Sequence, residues 1–207
     1  MVYVMKYNHL INIHSISTHE LEYNKNELRS YLGIQSNDQF DELLPIISKL
    51  SNELLKVLTP KACWREVDLY NAEGQVTLDG LSIQSKCLSR NLLNCDSAII
   101  FCATLGHGVD RIINKHFTIS SVNGVITNAI GSAYIESYCN VINEVIQEKY
   151  KNIHQRFSCG YGDFNISFQK QFLNILNAEN NIGVYCTDKF LLIPSKSVTA
   201  VIGIKKG

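Results

Sequence analysis

The sequence carries no excess of charge of either sign. Nineteen Lys and Arg residues balance nineteen Asp and Glu residues, so the formal net charge is zero. Without a basic excess, nothing draws the chain as a whole to nucleic acid or to an anionic membrane. Long apolar runs are missing too, and no stretch reaches the length needed to cross a bilayer. Residues 1–7 lack the charged segment and long apolar stretch of a secretory signal. The expectation is a cytoplasmic protein. Cys-x-x-Cys pairs and Cys/His groups at zinc spacing are absent, as are repeats, low-complexity tracts and linkers. The seven cysteines are therefore expected as free thiols in a reducing compartment. Cys95, Cys102, Cys139 and Cys186 lie in apolar patterns that imply burial, whereas Cys159 sits in a polar loop and is expected to be partly exposed.

What is present describes a globular chain. Of its 207 residues, 45% are hydrophobic and 18% charged, enough for a sizeable core. The expected organisation is one domain over residues 1–207, with a helical part over 1–60 and a mixed α/β core over 61–207. Alternation over 10–16 suggests a strand. Residues 24–32 suggest a short helix stopped at Gly33. A longer helix runs from a cap at Ser36 to about Val57, with Pro45 as a kink or second start. Strands are expected at 62–70, 75–78 and 81–84, joined by Asn-Ala-Glu-Gly and Asp-Gly turns, with Trp64 and Tyr70 packing. A small helix follows at 85–93.

The nearly continuous apolar run 96–103 reads as a central strand. Gly106-x-Gly108 after it resembles a dinucleotide fingerprint, but Arg111 occupies the third glycine position. A strand-to-helix turn is the better reading, with His107 structural or solvated. Residues 121–150 form the longest helical pattern. Ser132, Glu136, Cys139, Asn140 and Asn143 cluster on one side, which by itself reads as a solvated face. A helix at 167–176 and strands at 182–186, 190–193 and 198–204 close the chain, the last two pairing around Pro194 to Ser197. The fold class expected is α+β: a largely antiparallel twisted sheet with helices on one side.

One stretch concentrates chemistry. Arg156 to Phe164 places an arginine, two glycines, a tyrosine and an aspartate in nine residues. An arginine fork grips a carboxylate bidentately. Gly160 and Gly162 permit positive φ and close approach of a ligand. Tyr161 offers a flat face, and Asp163 accepts from hydroxyls or an ammonium. The same residues also describe an ordinary loop in which Asp163 caps the helix that follows.

The pattern Arg156-x-x-x-Gly160-Tyr161, followed by a short helix and then Leu192-Ile-Pro-Ser-Lys-Ser-Val-Thr-Ala200, resembles the activation domain of cobalamin-dependent methionine synthase. It is most similar to that family's stand-alone bacterial form. The resemblance is firm over 95–204, looser over 20–94 and absent at the start. It implies that the chain binds S-adenosylmethionine and supports reductive methylation of cobalamin held by another protein. That partner would be a methionine synthase lacking its own activation domain, or another corrinoid protein, with a flavodoxin-type protein as reductant. The resemblance assigns the ligand to Arg156, Gly160, Tyr161, Gly162 and Asp163. It adds Glu136, which matches the family glutamate through Ala129-x-x-x-x-x-x-Glu136. It also implies an open cleft beside residues 156–163.

The sequence departs from the family pattern in three places. Cys159 stands where the family often has proline. Val201 and Ile202 replace aromatic residues of the long enzyme. The N-terminal aspartate that contacts ligand in that enzyme has no counterpart. These departures motivate the rival reading, a non-catalytic binding or scaffold protein with an altered or lost ligand site. A third reading, an independent methyltransferase, lacks an acid/base pair to support it. No residue presents itself as catalytic or metal-binding, so any enzymatic role is at most that of a reactivation component.

Overall fold

The computed structural model describes residues 10–206. The opening segment, read above as no signal peptide, lies outside them. In chain order the structure runs β1 (Asn12–Ser15), α1 (Lys25–Tyr31), α2 (Asn37–Leu55), β2 (Lys61–Ala72), β3 (Gln75–Leu78) and β4 (Leu81–Gln84). Then come α3 (Lys86–Asn91), β5 (Ser97–Thr104), α4 (His107–Ile119), α5 (Ser121–Tyr150) and β6 (Phe157–Ser158). The chain closes with α6 (Phe168–Leu176), α7 (Ala178–Ile182), β7 (Tyr185–Cys186), β8 (Leu192–Ile193) and β9 (Ser197–Ile204).

Local chemistry accounts for many boundaries. The Asn24 side chain accepts from the amides of Asn26 and Glu27 to start α1, and Gly33 follows its end at positive φ. Helix α2 runs unbroken through Pro45. Glu73-Gly74 and Asp79-Gly80, all at positive φ, close the β2–β3 and β3–β4 hairpins as two-residue turns of the kind that match strand twist. Gly106 starts α4 at φ +84°, where a Cβ would sit 1.9 Å from the Thr59 hydroxyl, so only glycine fits.

The main sheet has the order β4-β3-β2-β5-β9-β6, with β1 pairing the first four residues of β2. Every pairing among the described strands is antiparallel. The α+β class is thus as expected, with one correction: helices cover both faces. Ile99, Phe101 and Ala103 of β5 pack with α1, α2, α4 and α5. The alternate residues Ala98, Ile100 and Cys102 pack with α3, α6 and α7 on the other side. Strand β5 is buried at all eight positions.

The closing strands differ from the expected pairing. Residues 190–193 were expected to pair with 198–204. Instead β8 pairs with β7, while β9 is paired by β5 over its full length on one edge and by β6 at Ala200 and Val201 on the other. The strand expected at 182–186 shrinks to β7, since Ile182 ends α7 and Gly183 turns the chain at φ +75°. Trp64 is buried, but Tyr70 is exposed rather than packed.

All seven cysteines are free. Cys63, Cys102, Cys139 and Cys159 are buried, while Cys95 and Cys186 are only half-buried. Burial, not exposure, is the correction for Cys159: it is 8% exposed, and burial pushes its thiol up to about 12. Thiol titration of the denatured, unreduced protein is expected to return all seven sulfhydryls. A lower number would show a disulfide.

Candidate ligand site

The 30-residue helix α5, about 45 Å long by its rise per residue, lies across one face of the sheet. Leaving it, the chain reverses and runs back along β9. Ile153 bridges Ile204, His154 N donates to Gly203 O at 2.8 Å, and Phe157 and Ser158 pair with Val201 and Ala200. This edge path carries Arg156 past the middle of α5. Its Nη2 donates to Glu136 Oε2 at 3.1 Å, the two side chains being 18% and 35% exposed. Its Nη1 is buried without a hydrogen-bond partner among the described residues.

Glu136 belongs to a stripe, Ser132, Glu136, Cys139, Asn140 and Asn143, that the sequence by itself suggested was solvated. Only Asn140 is exposed as that reading expects; the correction is that Ser132, Glu136 and Asn143 are half-buried, while Cys139 is fully buried, as its apolar pattern implied. A helix under packed elements on most sides leaves little surface free. Burial pushes the Cys139 thiol up to about 12, while the Arg156 charge acts in the opposite sense.

After β6 the loop is built by its own backbone. Gly160 N donates to Phe164 O at 2.7 Å and Phe164 N to Tyr161 O at 3.0 Å. Both Gly160 (φ +93°) and Gly162 (φ +57°) occupy the left-handed region. At Gly162 a Cβ would also come within 2.8 Å of Cys87 Sγ. Phe164 anchors the loop below, with its ring stacked on Phe157 at 6.2 Å. Tyr161 stays outside, 67% exposed.

Asp163 is placed differently from both sequence readings. Its Oδ1 accepts from Ser85 Oγ (2.6 Å) and Cys87 N (3.0 Å), and its Oδ2 from Lys86 N (2.8 Å). It caps α3, an earlier helix rather than the following one, and these bonds occupy both carboxylate oxygens. The Ser85 hydroxyl and the α3 amides hold its carboxyl well below the usual carboxylate range. A folded pKa below the unfolded one stabilises the fold above the ordinary carboxylate pKa, and that stability is lost as pH falls towards the folded value. Asp163→Asn is therefore expected to melt lower than wild type at pH 7 and to lose less of its melting temperature between pH 5 and pH 2. Parallel acid losses in the two proteins would refute this anchoring role.

Three features of this region escaped sequence reasoning. Tyr31, at the end of α1, has its hydroxyl pKa raised by burial and then by the charges of Glu136 and Glu27. Glu27 Oε2 is buried with no hydrogen-bond partner among the described residues. Lys196 lies in the turn before β9, 9% exposed, and its Nζ donates to Ser132 Oγ at 2.8 Å. No sequence spacing links Ser132 to Lys196 or Tyr31 to Glu136. Val201 and Ile202 are fully buried, so neither offers a platform to an aromatic ligand.

A concavity of about 1040 Å³ opens between the residues before α1 and the end of α2, floored by Leu21, Leu58 and Tyr134. None of residues 156–163 lines it. Among the described residues no group of three or more His, Cys, Asp or Glu side chains is arranged to hold a metal ion, and no helix is long and apolar enough to cross a membrane.

The architecture is thus a curled antiparallel sheet between helices, with an arginine–glutamate pair where one edge meets the long helix. No family model and no curated protein sequence matches the chain. Among solved structures, a crystal structure of the MetH reactivation domain bound to AdoHcy shares the fold. Its TM-score is 0.74 over 97% of this chain and 80% of that one, at 12% sequence identity. The likeness at that identity is one of fold.

Proposed function

We propose that this chain binds S-adenosylmethionine, or its demethylated product S-adenosylhomocysteine, and acts as a reactivation module for cobalamin carried by a separate protein. The observation that carries the reading is the Arg156–Glu136 pair, with one guanidinium nitrogen left buried and unpartnered. A free amino-acid end presents a carboxylate beside an ammonium. The pair offers a cation beside a carboxylate in the complementary order, and an unpaired buried donor is costly until something accepts from it. The neighbour of the same fold was solved with AdoHcy, and the Arg-x-x-x-Gly-Tyr resemblance supports the same ligand.

In this reading the whole chain works as one unit. Arg156 takes the ligand carboxylate and Glu136 its ammonium. Gly160 and Gly162 let the loop backbone lie against the ligand, and Tyr161 covers it. Asp163 acts through the loop, tying it to α3. Bound cobalamin, held by a methionine synthase without its own activation domain or by another corrinoid protein, would supply the nucleophilic metal. This chain supplies binding, orientation and exclusion of water, and needs no nucleophile of its own.

Calorimetry tests the reading. Saturable heat with S-adenosylmethionine or S-adenosylhomocysteine is expected, and silence at millimolar ligand would exclude it. Two observations favour a rival, a scaffold with a lost site: Asp163 is fully engaged within the fold, and the strand residues in place of the family's aromatics are buried. That rival predicts the silent titration.

A further inference from the structure

Lys196 is a buried charge that the binding scheme above does not use. Its side chain crosses α5 at Gly131, where a Cβ would come within 3.1 Å of Lys196 Cε. The ammonium ends on the Ser132 hydroxyl at 2.8 Å. Asp110 is the carboxylate whose charge acts on Lys196. Its oxygens already accept from Ser195, one from the backbone N at 3.0 Å and the other from the hydroxyl. An ammonium carries three donors, and a single neutral hydroxyl is a poor return for desolvating it. A well-packed apolar side chain of similar volume would serve stability as well or better. Ser132 and Glu136 are four residues apart on α5, hence neighbours on one helix face. Two cations, Lys196 and Arg156, therefore stand over adjacent turns of the same stripe, and each has donor capacity to spare.

We infer that Lys196, held by Ser132, is a specificity-determining residue that reads a second acceptor group of the ligand, one helical turn from the carboxylate bound by Arg156. The inference rests on the adenosyl amino-acid reading of the site. Within it the acceptor is the ribose diol. The ligand's ammonium is excluded from the Lys196 end by like charge and goes to Glu136, which fixes the direction in which the ligand lies along α5.

The test is a double-mutant cycle between protein and ligand. Binding of S-adenosylhomocysteine and of its 2′,3′-dideoxy analogue is measured by calorimetry on wild type and Lys196→Met. A hydrogen bond from a charged donor predicts that wild type prefers the ribose form by roughly 10- to 100-fold, and that Lys196→Met binds both forms equally. Because each ratio is taken on one protein, a general loss of stability cancels. An unchanged preference in Lys196→Met overturns the inference and leaves the adenosyl reading standing. If neither ligand binds wild type, both readings are overturned. If Lys196→Met does not fold, Ser132→Ala keeps the lysine and removes its anchor. A reduced preference in that variant supports the inference, and a wild-type preference overturns it.

Discussion

Arg156→Ala is expected to weaken binding of the adenosyl amino acid by roughly 30- to 4,000-fold, the usual range when one partner of a desolvated charge pair is truncated, about 2–5 kcal/mol. The substitution deletes the bond to Glu136 and the buried, unpartnered Nη1 together. Arg156→Lys is expected to recover only part of the loss, since an ammonium lacks the planar fork. Melting without ligand is expected to change little, because Arg156 precedes the edge strand β6 and its ion pair with Glu136 is partly exposed. Calorimetry paired with thermal unfolding checks both halves. Unchanged affinity, or a protein that no longer folds, would make Arg156 a structural residue.

Phe101→Ala is expected to do the reverse. Phe101 is fully buried in the central strand, within the cluster that joins β5 to α2, α4 and α5. Emptying such a position typically costs about 3–5 kcal/mol. At about 2–4 °C per kcal/mol for a chain of this size, the melting temperature should fall by roughly 6–20 °C. A fall of only a degree or two would mean that this layer tolerates collapse and is not the organising core.

Part of this architecture was legible in the residues. The run 96–103 announced β5, and the Asp-Gly and Glu-Gly turns announced the hairpins. That same run also bore on the point the sequence reading missed. A strand apolar at successive positions, rather than alternate ones, has no face to give to water, so helices on one side could not have sufficed. The error at the end of the chain had a different cause. Residues 190–193 and 198–204 are close enough in sequence to form a hairpin, but β9 gives one edge wholly to β5 and the middle of the other to β6, and local pattern carries no information about such distant partners. The candidate site divides in the same way. Residues of the loop could be named because they are contiguous. The link from Arg156 to Glu136 came only through resemblance, and the link from Lys196 to Ser132 spans 64 residues with no local signature. Asp163 had a cap to make, but its partner was a helix some 76 to 78 residues earlier.

Helix α5 belongs to two systems at once. Ile126, Ile130, Ala133, Ile142 and Ile146 are part of the main core, and the same helix carries Ser132 and Glu136. The molecule should therefore serve as its own sensor. A ligand that closes on the stripe stiffens the element on which the whole face is built, and by mass action it adds about 2.7 kcal/mol when present at a hundred times its dissociation constant. That amounts to a rise of roughly 5–11 °C in melting temperature, so a library of candidate metabolites can be screened with nothing more than a dye and a heating block.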